Sequence, residues 1–217
     1  MPKKRINDPG GMRRRVLDVA EDSFQARGYH ASSLGDLMAA AGVTGGALHH
    51  HFPTKKALAL AVIEERVAAA VQQTWIDPVL AAPSAREGVR AVFEAVAAEL
   101  EQQGYVRGCP LNNLAHELSL ADDEFRMALT RIFAGWRRAI ADKMRADQMD
   151  GGGTDPDRFA ALAIAAYSGA MSMAKTSQDA GVLRECLRGL EGLQPSPPPV
   201  GTIGKRRRRV LRRREVR

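Results

Sequence analysis

The chain has few cysteines and few aromatic residues, and each shortage narrows the range of structures that it can adopt. Its 217 residues include only two cysteines, Cys109 and Cys186. Two are too few for a framework of disulfides and are typical of a protein kept in the reducing cytoplasm. Aromatic residues make up 5% of the sequence, and clusters of β-branched residues are rare, whereas alanine-rich segments are frequent. This composition favours helices over strands.

No segment has the character of a secretion signal or of a membrane span. The basic residues 1–15 are not followed by the apolar region that a signal peptide needs. The most apolar stretch, Phe159 to Ala174, is bounded by Arg158 and Lys175 and is shorter than the roughly 20 residues of a spanning helix. The sequence therefore predicts a buried helix there, no membrane partner and a cytoplasmic location.

Residues suited to catalysis or metal binding are present but not grouped. Cys109 and His116 are two helical turns apart, and no other pair suggests a nucleophile beside its base. The three histidines at 49–51 point about 100° apart around a helix and cannot converge on one ion. We expect no catalytic residue, metal or cofactor. The rival hypothesis is an all-helical enzyme. Loss of turnover in Cys109→Ala or His116→Ala would support it.

The net charge of +7 is unevenly distributed along the chain. Residues 205–217 carry +8 and residues 1–15 carry +5, which leaves −6 for residues 16–204. An acidic body with two basic ends indicates a polyanionic partner met at the ends. The arginine-rich tail has two open interpretations, additional phosphate contacts that carry no sequence readout or a dispensable extension.

The N-terminal region has the pattern of a helix-turn-helix. A first helix is predicted over residues 12–27, a second from its cap residue Ser33 to Gly42, and a short third one from its cap residue Thr44 to His51. The second and third are joined by a tight turn that contains Gly42, as in a helix-turn-helix. A further helix, capped by Thr54, continues through Val71 or beyond.

The outward face of the third helix is unusual in composition. Spacing places Gly45, Gly46, His49 and His50 there, opposite a core-facing set of Ala47, Leu48, His51 and Phe52. Each glycine costs a helix about 1 kcal/mol relative to alanine. Something other than helix propensity must favour the two glycines, and close approach to another molecule is one candidate.

Residues 28–58 resemble the helix-turn-helix signature of TetR-family transcriptional regulators. The matching features are Gly28-Tyr29, Ser32-Ser33, Ala41-Gly42-Val43, Gly46-Ala47-Leu48, His51-Phe52 and Lys55. The resemblance implies that the third helix enters the major groove of double-stranded DNA, that Thr44 and Lys55 contact phosphates, and that positions 45, 49 and 50 lie nearest the bases.

Two positions depart from that family pattern. Family members often have Lys or Arg where this chain has Gly45, and usually Tyr where it has His49. Direct base readout at position 45 is thereby lost. The candidate DNA-binding residues are Ser33, Thr44, Gly45, Gly46, His49, His50 and Lys55.

The remainder of the chain is predicted to be amphipathic helices, at about 85–103, 110–119, 122–148, 156–180 and 182–192, with Pro78 among the breaks between helices. Residues 107–119 resemble a segment of an LmrA/YxaF-like branch of TetR-like regulators, where it starts a helix lining the ligand domain. Bulky apolar residues are interpreted either as ordinary core or as the lining of a ligand cavity. The candidate pocket residues are Phe93, Cys109, Asn112, Asn113, Glu117, Phe133, Trp136, Tyr167 and Met171.

The last two helices are predicted to form a dimer seam. They carry small and apolar residues that allow close approach, namely Ala160, Ala163, Ala166, Gly169, Ala170, Leu183, Leu187 and Leu190. In TetR-like proteins the corresponding helices pack with their mates as a four-helix bundle. The two-fold symmetry of such a dimer predicts a palindromic operator.

Together these patterns predict an all-α protein of two domains. Residues 1–55 are expected to form a three-helix DNA-binding domain with a basic arm, residues 56–193 a helical ligand-binding and dimerisation domain, and residues 194–217 a proline-rich linker and disordered arginine-rich tail. The predicted function is that of a homodimeric, sequence-specific transcriptional repressor released by a small-molecule effector. The alternative is a non-specific nucleic-acid-binding protein that acts through its basic ends.

Overall fold

The computed structural model describes residues 9–147 and 154–192, and within these ranges the chain forms helices and turns without a strand. This confirms the all-α prediction. The helices are α1 (Pro9–Arg27), α2 (Leu34–Ala41), α3 (Gly45–His51), α4 (Lys55–Val62), α5 (Ala68–Val71), α6 (Asp77–Ala81), α7 (Ala85–Gln103), α8 (Pro110–Leu118), α9 (Asp123–Asp147), α10 (Pro156–Ser177) and α11 (Gly181–Gly192). No helix of the described ranges is both long and apolar enough to cross a membrane.

Some predictions fall outside the described residues. They concern residues 1–8 of the basic arm, the glycine run 151–153, and the linker and arginine-rich tail from residue 194 onward. The boundary proposed between the two domains stays a prediction.

The N-terminal domain is built around the buried face of α1. Val16, Leu17, Ala20 and Phe24 are each at most 2% exposed, as their i, i+4 spacing predicted. The helix begins at Pro9, three residues before the predicted start. Gly10 and Gly11 suggested a later start because their helix propensity is poor, but tertiary packing outweighs propensity at this end.

A single continuous helix connects the two domains. Helices α4, α5 and α6 are joined end to end by the π-helical segments Ile63–Val67 and Gln72–Ile76, and we call residues 55–81 the connecting helix. The predicted break at Pro78 is wrong. The second π segment shifts the hydrogen-bond register so that the N–H of Asp77 reaches the Gln72 carbonyl, and the helix continues to Ala81, where Ala82 turns to an extended conformation.

The C-terminal domain packs α7 to α11 around the apolar face of the connecting helix. Val67, Val71, Trp75 and Val79 follow one another at four-residue spacing on that face and are buried. Helix α10 lies between α9 and α11. The core of this domain therefore rests directly on the helix that leads away from the helix-turn-helix.

The residues predicted for a dimer seam are largely covered within a single chain. Leu183, Leu187 and Leu190 are at most 5% exposed, and Ala160, Ala163 and Ala170 are fully buried, whereas Gly169 is exposed and Ala166 is half-buried. Helical periodicity selects a buried face but does not say whether the same chain or a second copy covers it. The apolar residues left exposed on α10 include Leu162 and Met173.

Candidate nucleic-acid interface and interior cavity

The helix-turn-helix has a side-chain cap at the start of each of its two helices. The Ser33 hydroxyl accepts the N–H of Asp36 at 3.1 Å, and the Thr44 hydroxyl accepts the N–H of Ala47 at 3.4 Å. Between the helices, Gly42 adopts φ 64°, the left-handed region in which a glycine meets no Cβ penalty. The predicted caps and turn are confirmed, and they hold α3 at a set angle to α2.

Helix α3 is anchored on one side and exposed on the other. Leu48 and Phe52 are 4% and 3% exposed, so that they fasten α3 to the core of the N-terminal domain. The opposite side presents the residues predicted to face outward. These exposed residues, which we call the reading face, are Gly45, Gly46, His49 and His50.

The two glycines of the reading face are not required by the packing of this chain. A Cβ built on Gly46 meets no atom within 4 Å, and one on Gly45 meets only the Met38 sulfur at 3.7 Å, an ordinary contact. Alanine would fit at both positions and would favour the helix. The space above these residues is therefore left open to solvent or to another molecule.

A cationic side chain of α1 lies near the end of α3. The Arg13 guanidinium lies 5.3 Å from the centre of the Phe52 ring and also pairs with Glu65. The next two residues, Arg14 and Arg15, are exposed. The sequence showed all three only as part of a basic run, and the position of Arg13 beside α3 follows from its packing on Phe52.

Lys55 is held by the turn between α1 and α2. Its Nζ lies 4.3 Å from the centre of the Tyr29 ring and donates to the His30 carbonyl at 3.3 Å. Burial lowers the pKa of Lys55, and the Glu117 carboxylate opposes that shift. The phosphate contact predicted for Lys55 stays a prediction.

Two of the candidate pocket residues, Asn113 and Glu117, lie at the domain junction, where they line an open groove of about 580 Å³. The Glu117 carboxylate accepts the backbone N–H groups of Tyr29 and His30. Asn113 donates to the side chain of Gln25 at 3.0 Å and accepts from Lys175 at 3.2 Å. Both residues belong to α8, and both are directed to α1 or to the turn that follows it.

A small interior cavity lies among the aromatic residues of the C-terminal domain. Its volume is about 50 Å³. Its lining residues are Val67, Ala70, Val71, Thr74, Trp75, Cys109, Pro110, Leu111, Trp136 and Tyr167. Three of the candidate pocket residues, Cys109, Trp136 and Tyr167, therefore line one cavity.

The other candidate pocket residues surround the cavity at a greater distance. The Phe93 ring lies 5.6 Å from that of Tyr167, and the Phe133 ring stacks 6.3 Å from that of Trp136, measured between ring centres. Met171 is buried in the core. Asn112 is buried and exchanges hydrogen bonds with Ser168, which occupies its polar atoms.

Trp75 is the main cavity residue that the candidate set omits. Its ring centre lies 4.7 Å from that of Tyr167 and 4.9 Å from that of Trp136. The signal was present in the sequence, since Trp75 continues the four-residue spacing of Val67 and Val71. It was missed because the bulky residues considered were taken from the predicted helices that begin at about residue 85, after the helix predicted through Val71 or beyond.

The cavity is lined by neutral groups, and the indoles of both Trp75 and Trp136 lack a hydrogen-bond partner among the described residues. Burial raises the pKa of the Cys109 thiol, against the opposing effect of the backbone N–H groups of Asn112 and Leu111. Burial likewise raises the pKa of Tyr167 well above its ordinary value. The indole Nε1 of Trp136 is buried and has no hydrogen-bond partner. A buried donor without an acceptor costs about 1–3 kcal/mol.

An open groove lies on the outer side of Trp136. It has a volume of about 420 Å³ and runs between the connecting helix and α9. Val71 and Trp136 line both this groove and the interior cavity. These two side chains therefore form the wall between solvent and the cavity.

Comparison with known proteins finds one family model in each half of the chain. Residues 16–62 match the model of bacterial regulatory proteins of the tetR family, and residues 85–188 match the C-terminal domain of LmrA/YxaF-like transcriptional regulators. The transcriptional regulator AcuR of Cereibacter sphaeroides is 32% identical over 167 residues, which cover 74% of each chain.

Two further relatives extend the similarity over most of the chain. The transcriptional repressor DhaR of Mycobacterium sp. is 27% identical over 196 residues, covering 85% of this chain and 93% of its own. The solved structure of a cysteine mutant of the TetR-family regulator CifR, bound to 26-bp double-strand operator DNA, has a TM-score of 0.75 at 23% identity, covering 89% of this chain and all of the other. That structure shares the fold described above.

Proposed function

The chain belongs to the TetR family of bacterial transcriptional regulators and is a DNA-binding regulator; from this premise we propose that it is a homodimeric repressor that a small-molecule effector releases from a palindromic operator. The observation that carries the proposal is the reading face of α3, which is exposed and held by the buried anchors Leu48 and Phe52 and, at the turn, by the left-handed Gly42 and the Thr44 cap. A face fixed in this way is preorganised for a rigid partner such as a DNA groove.

The reading face suits close contact with the major groove. Gly45 and Gly46 let the α3 backbone approach the DNA without an intervening side chain. His49 and His50 then extend from the same side, where an imidazole can hydrogen-bond to a base edge or to a phosphate oxygen. We therefore assign sequence readout to the two histidines and close positioning to the two glycines.

The capping residues are placed to contact the DNA backbone as well. Each hydroxyl of Ser33 and Thr44 accepts an N–H from its own helix, and a hydroxyl that accepts in this way still has its proton to donate to a phosphate. Lys55 would reach a phosphate by turning away from Tyr29. Contacts of this kind fix the register of the protein but carry no sequence information.

The exposed apolar residues of α10 support assembly with a second copy. Leu162, Ala165, Gly169 and Met173 are exposed and follow one another at three- or four-residue spacing along one face. A two-fold axis through this face would set the two reading faces against successive major grooves. Half-sites of the operator are then about 34 Å apart.

The interior cavity supports release by an effector, but only with a change of shape. Its 50 Å³ holds little more than one water molecule, whereas ligand sites measure about 300–1,000 Å³. Five of its ten lining residues belong to the connecting helix, at positions 67–75. A ligand that enlarges the cavity must therefore displace this helix, which begins directly after α3.

The chemistry of the cavity indicates the class of effector. Its lining contains no charged side chain, and the indoles of Trp75 and Trp136 offer donors without acceptors. An uncharged, largely apolar molecule with one or two hydrogen-bond acceptors satisfies both features. The two π segments beside the cavity are a local irregularity of the kind that often marks functional sites, and they place the deformable part of the connecting helix next to the ligand.

The assignment of readout to α3 is tested by fluorescence anisotropy on the DNA upstream of the protein's own gene, with random DNA as competitor. The wild-type chain should prefer the upstream DNA by about 10³-fold or more. His49→Ala together with His50→Ala should reduce that preference by about ten- to a hundredfold and leave binding to random DNA unchanged.

The matched control is His116→Ala, since His116 is an exposed histidine of α8 outside the helix-turn-helix. It should bind like the wild-type chain. An unchanged preference in the double variant would remove the histidines from the readout, and equal wild-type binding to both DNAs would overturn the repressor proposal.

A further inference from the structure

Helix α8 extends from the interior cavity to the helix-turn-helix, and we infer that Glu117, near its C-terminal end, is a positioning residue for DNA binding. Its carboxylate fixes where the N-terminal domain sits on the C-terminal domain and so fixes the spacing of the two reading faces in the dimer. The statement about spacing rests on the proposed function. The statement about position rests on the geometry described next.

Both carboxylate oxygens of Glu117 are used by the turn between α1 and α2. Oε2 accepts the N–H of Tyr29 at 2.8 Å, and Oε1 accepts the N–H of His30 at 2.7 Å. These residues are 87 and 88 positions away in the sequence. Hydrogen bonds to a charged acceptor are about twice as strong as neutral ones, so this pair is a directional link between the domains.

The turn is shaped to receive the carboxylate. Gly28 adopts φ 87°, and a Cβ built on it would lie 3.0 Å from Glu117 Oε2 and 3.2 Å from Oε1. Those distances are tighter than an ordinary van der Waals contact. Position 28 therefore needs glycine for two reasons, its backbone conformation and the room that the Glu117 side chain occupies.

The same turn is held from other sides. The Tyr29 ring packs edge-on against Phe24 of α1 and Phe125 of α9, with ring centres 5.5 Å apart in each case. The Lys55 ammonium lies over the Tyr29 ring and donates to the His30 carbonyl. The turn is thus packed between α1, α4 and α9, and Glu117 supplies its charged hydrogen bonds.

The opposite end of α8 forms part of the cavity. Cys109, the N-cap residue, and the first two residues of the helix, Pro110 and Leu111, line it. Helix α8 has nine residues, and Glu117 lies two turns beyond Pro110 on this rigid element. A ligand that moves the start of α8 therefore moves the carboxylate that holds Tyr29 and His30. This gives the cavity a second connection to the reading face, separate from the connecting helix.

Amide hydrogen exchange on the full chain tests the link directly. In Glu117→Gln the side chain keeps one acceptor and replaces the other by a donor, so that one of the two amides loses its partner and the other bonds to a neutral acceptor instead of a charged one. The amides of Tyr29 and His30 should exchange roughly tenfold faster than in the wild-type chain. The control is Glu87→Gln on α7, where the described residues provide no partner for the exposed carboxylate, and this variant should leave both amides unchanged.

A second readout separates positioning from simple stabilisation. Operators with one base pair inserted or deleted between the half-sites should bind the wild-type dimer at least roughly tenfold more weakly than the natural spacing. Glu117→Gln, measured at a temperature where circular dichroism shows it folded, should lose most of that discrimination. A variant that was only less stable would keep it.

Three results decide the matter. Faster exchange at Tyr29 and His30 with relaxed spacing preference supports the inference. Unchanged exchange and unchanged spacing preference in Glu117→Gln overturn it. If the wild-type chain shows no operator preference at all, the repressor proposal fails, and the exchange measurement alone then decides whether Glu117 holds the turn.

Discussion

The reading face and the interior cavity differ in how complete each is before its partner arrives. The reading face is exposed and anchored by Leu48 and Phe52, and the helices beside it are capped. The cavity holds about 50 Å³ and leaves the Trp136 indole without a partner. The first site can meet DNA without rearranging, whereas the second must open to accept a ligand. A repressor needs this difference, since its unliganded state is the one that binds DNA.

The two sites also differ in the interactions that hold their shape. Caps and a left-handed glycine define the helix-turn-helix through a few local hydrogen bonds. Aromatic packing defines the cavity, and the connecting helix beside it contains two π segments. Directional local hydrogen bonds hold the helix-turn-helix in one geometry. The packed core around the cavity lies against a helix with irregular hydrogen bonding and can adopt a second geometry.

Removing Trp75 should have the largest effect on stability. Its side chain is 2% exposed and contacts the rings of Phe93, Trp136 and Tyr167. Trp75→Ala should lower the free energy of unfolding by about 3–5 kcal/mol, because it replaces packed aromatic surface by a cavity. Urea unfolding measures this loss. The control on the same helix is Leu80→Ala, where the side chain is 49% exposed and the expected change is within about 0.5 kcal/mol. Equal losses would mean that the aromatic cluster is not the core of this domain.

Adding a methyl group at Gly88 should be the next most disruptive change. A Cβ there would lie 2.8 Å from the Cα of Val79, a backbone atom of the connecting helix. Gly88→Ala should cost about 1–3 kcal/mol from overpacking, even though alanine favours the helix. Gly135→Ala is the matched control on α9, since a Cβ at that position meets nothing within 4 Å, and it should stabilise the chain. If both variants gained stability, α7 would not lie against the connecting helix as described.

Alanine at Gly46 should separate stability from DNA binding. The fold has room for the added methyl group, so that Gly46→Ala should raise the free energy of unfolding by up to about 1 kcal/mol. It should also weaken operator binding by about tenfold, because the methyl group holds the α3 backbone away from the DNA. Thermal melts and anisotropy on the same preparation measure the two effects. A variant that is both more stable and equally tight in binding would show that the glycine is not needed at the DNA.

The junction between the two regions should give the smallest effect, a dependence of stability on pH. Hydrogen bonding to Lys56 is the main cause that lowers the pKa of Asp122, and this pair joins α4 to the start of α9. Because the folded pKa is depressed, the contribution to stability is present at neutral pH and is lost as pH falls through the acidic range below about pH 4. Lys56→Met should therefore lower the melting temperature slightly near pH 7 and by less near pH 3. Arg126→Met, whose partner Asp123 is on its own helix, is the control and should show a smaller difference between the two values. A loss for Lys56→Met that was equal at both pH values would remove the ion pair as its cause.

Most of the N-terminal domain could be predicted from the sequence because its signals are local. The Ser33 and Thr44 caps, the left-handed Gly42 and the two sides of α3 each depend on residues within a few positions of one another. The start of α1 was predicted three residues too late. The poor helix propensity of Gly10 and Gly11 is a local signal, and it does not show that tertiary packing holds this end of the helix. The role of the turn at Tyr29 was not predicted, because its partner Glu117 comes from the other domain.

The C-terminal domain was predicted in its helices but less well in its contacts. Helix boundaries followed from punctuation and were close throughout, except where a π segment carried the connecting helix past Pro78. Periodicity identified buried residues, whereas Asn113 and Glu117 were grouped with Trp136 through the resemblance of residues 107–119, which does not distinguish the cavity from the domain junction. It also did not show whether Leu183 and its neighbours are covered by their own chain or by a partner.

The central claim is that sequence-specific DNA binding resides in the helix-turn-helix and not in the arginine-rich tail. The most direct test compares the full chain with a chain ending at residue 194, by anisotropy on the upstream DNA and on random DNA at two salt concentrations. We expect the truncated chain to keep a preference of about 10³-fold or more for the upstream DNA, while losing part of its salt-dependent affinity for both DNAs. Equal binding of the two DNAs by the full chain, lost with the tail, would contradict the claim and identify a non-specific nucleic-acid-binding protein.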